Sequence, residues 1–131
     1  MAGWMRSRLW STGALIVIGL ISIGYVWHES RESVRLRVVS ENSSKARELK
    51  EQIDQQFPVG TVEAEVLGFL RREHPAYTTS TSAAQTGYGI PVGQEPSEFW
   101  GCGRSTAGVM LQIEGGKLAH TEIARWSTDC L

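Results

Sequence analysis

VMLQIEGGKLAHTEIA, residues 109–124, decides how the second half of this chain folds. Val109, Leu111 and Ile113 alternate with Met110, Gln112 and Glu114; beyond Gly115-Gly116, Ala119, Thr121 and Ile123 alternate with His120, Glu122 and Ala124. Period-two alternation on both sides of a glycine pair reads as a β-hairpin. Successive side chains point to opposite faces, so a one-residue slip would turn an apolar face into water. The register that keeps the apolar sets together puts Ile113 against Ala119, Leu111 against Thr121 and Val109 against Ile123. Carried to the strand ends, it brings Cys102 opposite Cys130, within reach of a disulfide. Slipped by one residue, Gly115-Gly116 becomes a two-residue turn, but Leu111 then meets His120 and Val109 meets Glu122. Slipped by two in the same direction, the faces are kept and Gly116 takes the left-handed loop position, but the cysteines are offset by two. The even registers are favoured, and a bulge in the hairpin would reconcile the turn with paired cysteines. The expectation is a Cys102–Cys130 disulfide, which in the chain-entropy model stabilises by about 3 kcal/mol.

Upstream of the hairpin the periodicity is helical. Ala46, Leu49, Ile53 and Phe57 make one apolar stripe over Lys45–Gln56, with Arg47/Glu51 and Lys50/Asp54 at i,i+4 on the other faces. Phe57-Pro58-Val59-Gly60 ends that helix, because the residue before proline resists the α conformation. A second helix is expected to start at Thr61 as N-cap, with Glu63 and Glu65 at the positive end of its dipole. Val62, Val66, Phe69 and Leu70 form its inward face, Arg71 and Arg72 suit its end, and Pro75 stops it. A short strand is expected around Ala76–Thr81. The segment 82–98, rich in Gly, Ser, Thr and Pro, reads as a long loop and a candidate functional arm.

The first residues belong to a different physical class. Leu9–Trp27 (LWSTGALIVIGLISIGYVW) carries no charge over nineteen residues. As a helix it spans about 28 Å, close to the ~30 Å of a hydrocarbon core. Trp10 at one end, with Tyr25 and Trp27 at the other, sits where aromatic rings prefer the lipid–water boundary. Residues 1–27 therefore read as a membrane anchor, the alternative being a cleaved signal at Ser22-Ile23-Gly24, where bulky Tyr25 fits poorly. No cysteine lies near the end of the run to carry a lipid. Arg6 and Arg8 on one flank nearly balance Arg31, Arg35 and Arg37 on the other, so charge alone does not orient the span. The cysteine pair favours an oxidising compartment for the C-terminal domain. Residues 28–42 form a charged spacer, readable as a strand or as helix continuing the anchor.

Setting aside Arg6 and Arg8 leaves eleven Lys and Arg against fourteen Asp and Glu, a charge near −3. That argues against nucleic acid as a partner, because phosphate binding needs clustered cations. Cys102, His120 and Asp129 could form a thiol-dependent catalytic set. The pairing of Cys102 with Cys130 competes for that thiol, and His120 falls on the polar face of its strand. His28, His74 and His120 stand singly, without the spacing of a metal site, and each is better read as a solvated or locally bonded histidine. Gly87-Tyr88-Gly89-Ile90-Pro91-Val92-Gly93 lacks the Lys and following Ser/Thr of a phosphate loop. No cofactor, metal or small-molecule ligand is expected.

Two helices, the second introduced by Phe57-Pro58-Val59-Gly60-Thr61 and followed by Glu65-Val66 and Phe69-Leu70, then antiparallel strands, make an α-α-β-β-β order. Over residues 43–126 this resembles the SmpA/OmlA (BamE-like) envelope proteins and the β-lactamase-inhibitor-protein fold. The resemblance implies an α+β domain at 43–131, two helices on a three-stranded antiparallel sheet, acting as a non-catalytic periplasmic binding module. The expectation is then a single-pass inner-membrane protein, held in the bilayer through residues 9–27, with its C-terminal domain in the periplasm. If the first segment is cleaved, the domain is periplasmic or secreted. Another envelope protein is its expected partner, and Tyr88, Phe99 and Trp100 are candidate contacts, although Phe99 and Trp100 are better read as core packing beside the disulfide. An inhibitor or immunity-type protein, and the exported thiol enzyme, are the alternatives.

Overall fold

The computed structural model describes residues 3–97, 100–127 and 129–130, with side chains from residue 13 onward. The element order is α1 (Gly3–Gln56), α2 (Glu63–Glu73), β1 (Thr78–Thr81), β2 (Gln85–Pro96), β3 (Arg104–Glu114) and β4 (Lys117–Ser127). The chain divides into two units, Met1–Arg37 and Val38–Leu131.

In the first unit α1 carries Leu15–Val26 with large apolar side chains exposed along its length. An 18-residue window of this helix has a mean hydropathy of 1.3 with none of it buried, long and apolar enough to cross a membrane. Its one hydroxyl near the middle, Ser22, donates to the Ile18 carbonyl at 2.8 Å, which satisfies the group without water. Arg31 stacks over the Trp27 ring at 3.9 Å. The spacer at 28–42 is helical throughout, so of its two readings the strand is set aside.

In the second unit the strands form one antiparallel sheet in the order β1-β2-β3-β4. Gly115 and Gly116 have φ of 57° and 74°, the left-handed pair that a two-residue hairpin turn requires. Beside the turn Ile113 pairs with Leu118; a bulge at Gln112/Ile113 then sets Leu111 against Thr121, Val109 against Ile123 and Ser105 against Ser127. The ladder continues to an isolated bridge between Cys102 and Cys130, whose sulfurs are bonded with Cα atoms 4.1 Å apart. The bulge thus serves both the tight turn and the cysteines. Its consequence is that Leu118, not Ala119, faces Ile113 in the core.

The sheet has four strands rather than the expected three, because 82–98 is mostly strand β2 and not a loop. Its composition concealed it for a steric reason. Met110 and Trp126 lie across Gly87 and Gly89, and a Cβ on Gly93 would stand 2.2 Å from Asn42 Oδ1. The glycines are there because neighbours occupy the space a side chain would need. Pro91 lies past the last β1 partner, Thr78↔Gly89, and beside the Pro91/Gly93 bulge, where a missing N–H is tolerated.

The helices cover one face of this sheet. Ala46, Ile53 and Phe57 of the α1 stripe are buried, with Val66, Phe69 and Leu70 of α2 and Tyr88, Ile90, Val109, Leu111, Ile113 and Leu118 of the sheet. The α2 start differs from the expectation. Val62 is the N-cap and makes no side-chain cap bond. Thr61 is instead drawn into backbone pairing, its carbonyl accepting from the Leu118 N–H at 2.8 Å while Gly60 N–H donates to the Leu118 carbonyl. Tertiary pairing has displaced the local cap, and Val62, expected inward, is exposed.

Gly93→Ala is expected to destabilise the second unit by about 1–3 kcal/mol through overpacking against Asn42. Combining it with Asn42→Ala should recover part of that loss in a denaturant-unfolding cycle. An equal loss in both backgrounds would show that the contact is not the cause.

Candidate functional site

The helix-covered face of the sheet is chemically divided. Toward the hairpin it is apolar, and toward the disulfide it becomes polar. Glu95, with its side chain 3 % exposed, accepts from Arg125 Nε at 2.8 Å. Arg125 Nη2 also donates to Ser43 Oγ at 3.0 Å, tying β4 to α1. The second carboxylate oxygen of Glu95 is buried without a partner among the described residues. Buried Asn42 donates to the Gln94 carbonyl at 3.4 Å, and Ser105 and Ser127 hydroxyls face each other at 3.4 Å. A buried charge with one partner is held in place by that partner and costly to isolate.

Between α1 and β4 lies a cleft of about 240 Å³ lined by Lys50, Asp54, Phe57, Val59, Leu118 and His120, among others. Asp54 accepts from Thr121 Oγ1 and from Lys50 Nζ. Burial pushes its carboxyl up, but those hydrogen bonds and the Lys50 charge outweigh it and hold Asp54 below the usual carboxylate value.

The sequence-derived contact residues separate in the structure. Tyr88 is buried in the core and donates to Glu63 Oε1 at 2.5 Å, with the Tyr77 ring edge-on at 5.9 Å. It is a packing residue, not an exposed anchor: strand alternation turns it toward the helices. Burial first, then the hydrogen bond to Glu63 and its charge, push the Tyr88 hydroxyl up to about 12. Trp100 is fully exposed, on a turn where Gly101 takes φ 85° just before Cys102. Phe99 lies outside the described residues. Cys102 is bonded to Cys130, and His120 pairs with Gln112, ten residues further along the ladder. At the rise of a strand that is roughly 33 Å, so Cys102, His120 and Asp129 do not assemble. Among the described residues no three His, Cys, Asp or Glu side chains gather as a metal site. The Glu95–Arg125–Ser43 cluster went unread in the sequence. Its one signal was an acid on β2 and a base on β4, both on inward positions and reaching each other across β3.

No family model, no curated protein and no solved structure matches this chain.

Two measurements check this electrostatic picture. Tyr88 has its pKa raised on folding, so its contribution is complete below pH ~10 and is lost as pH rises toward ~12. The stability difference between wild type and Tyr88→Phe should therefore shrink over that window; a difference independent of pH would refute the assignment. Arg125→Ala should cost about 1–3 kcal/mol by stranding the Glu95 charge. Adding Glu95→Gln should return part of it, and a strictly additive double variant would show the two groups to be uncoupled.

Proposed function

We propose that this chain is a membrane-anchored, extracytoplasmic protein-interaction module of a bacterial envelope, non-catalytic and akin to the SmpA/OmlA (BamE-like) proteins. The anchor is a single inner-membrane span within residues 9–27, and the α+β domain lies in the periplasm. The observation that carries this reading is the exposed apolar stretch of α1. In water, uncovered Leu15, Ile16, Val17, Ile18, Leu20 and Ile21 would drive association, whereas in hydrocarbon they need no cover. A bonded cysteine pair supports the oxidising side of the membrane for the domain. The helix-plus-antiparallel-sheet architecture is of the kind the resemblance implies, with one strand more. Recognition would fall to the sheet and to the exposed Trp100 turn, in place of an arm at 82–98, which is built into the sheet.

Cells expressing the full chain test the placement directly. Non-reduced protein should show no thiols in denaturant, and a C-terminal reporter active only outside the cytoplasm should be active. Two free thiols together with an inactive reporter would overturn the compartment. Replacing Trp100 with a photocrosslinking residue should trap one envelope protein reproducibly, without changing the thermal transition.

A further inference from the structure

β4 closes the sheet on one side, and only its first residues are covered. Lys117 bridges to Val62, and Leu118 exchanges backbone bonds with Gly60 and Thr61. Along residues 119–127, among the described residues, no strand lies on the side away from β3. The opposite edge contrasts with it: β1 is four residues of Thr and Ser, short and polar, as a protected edge should be. β4 is eleven residues long and contains no proline. At its centre Ile123 is 41 % exposed although it shares the face that carries the core.

A wall stands beside this open edge. Ser43 bonds Arg125 and Asp54 bonds Thr121, so the α1 stripe 43, 47, 50, 54 runs along β4 at helical spacing. Arg47, exposed, falls on that stripe at the level of Ile123 between the two fixed contacts. At the Thr121 end the cleft of about 240 Å³ opens beside Phe57, Val59 and Leu118, with room for one side chain.

We propose that the free edge of β4 takes an extended segment of a partner protein as a fifth strand, with apolar side chains beside Ile123 and in the Phe57–Leu118 cleft and a carboxylate toward Arg47. Unpaired backbone groups supply the affinity, and the cleft and the arginine select the side chains. This deepens the interaction role proposed above. It rests on that reading only for the partner being another protein, and its test is independent of topology and compartment.

The probe is a blocked nonapeptide with threonine on one face and valines flanking one glutamate on the other. Amide hydrogen exchange is read on the full chain in lipid nanodiscs with ~1 mM peptide, an affinity range that a single added strand can reach. At half occupancy, exchange at the outward amides of β4 should slow about twofold while β3 is unchanged. Ile123→Lys should abolish the slowing and Arg47→Glu should weaken it, both with unaltered thermal transitions. A peptide with lysine in place of glutamate should protect less. No slowing on β4, or slowing that survives Ile123→Lys, overturns the proposal. Protection that appears without peptide as protein concentration rises overturns it in favour of a second copy of the chain.

Discussion

The β3–β4 ladder is the constraint on which the second unit depends, because its register decides which side of every residue from Cys102 to Cys130 meets the helices. One bulge at Gln112/Ile113 lets the Gly115-Gly116 turn be two residues long while the far end still brings the sulfurs together. Without the bulge, one requirement would fail. With it, Val109, Leu111 and Ile113 stay on the covered face, and β2 inherits the same alternation through Tyr88 and Ile90. The disulfide closes the ladder at the end where the covered face has turned polar and apolar burial no longer holds the strands.

That change along a single face fixes the rotation of α1 over the sheet. Asn42 against Gly93 and Gln94, Ser43 with Arg125, and Asp54 with Thr121 are polar contacts that flank the apolar stripe of Ala46, Leu49 and Ile53. Apolar packing alone tolerates small rotations of a helix, whereas hydrogen bonds of fixed length do not. The half-buried pair of Glu95 and Arg125 is a poor source of net stability, since desolvation offsets most of its attraction. Its effect is orientation. It aims the α1 flank bearing Arg47 along the β4 edge, so the buried polar cluster and the exposed groove are two consequences of one docking geometry.

The two units carry different patterns of side chains. From residue 13 to Trp27 the side chains are almost all apolar and exposed, a pattern that hydrocarbon tolerates, while residues 28–37 are charged. From Val38 onward the same helix buries one stripe and presents charge on the others, as a helix in water must. Apolar residues cease to be contiguous at Trp27, and after the charged spacer they become periodic in the stripe that starts at Ala46.

By itself the sequence determined the elements whose signals are local. The hairpin, its register beyond the bulge and the cysteine pairing follow from alternation plus two glycines, and the apolar span, the first helical stripe and the second without Val62 follow from periodicity and length. Only the tertiary structure decided β2, because Gly87, Gly89 and Gly93 are explained by Met110, Trp126 and Asn42, none of them near in sequence. The same holds for the α2 start, where Leu118 drew Thr61 into backbone pairing instead of capping, and for Tyr88, which the strand turned inward to Glu63. The Glu95–Arg125–Ser43 cluster was equally illegible. Local patterns report how a segment would satisfy itself alone; a residue whose conformation is set by what occupies the space beside it can be read only once the chain has brought that neighbour there.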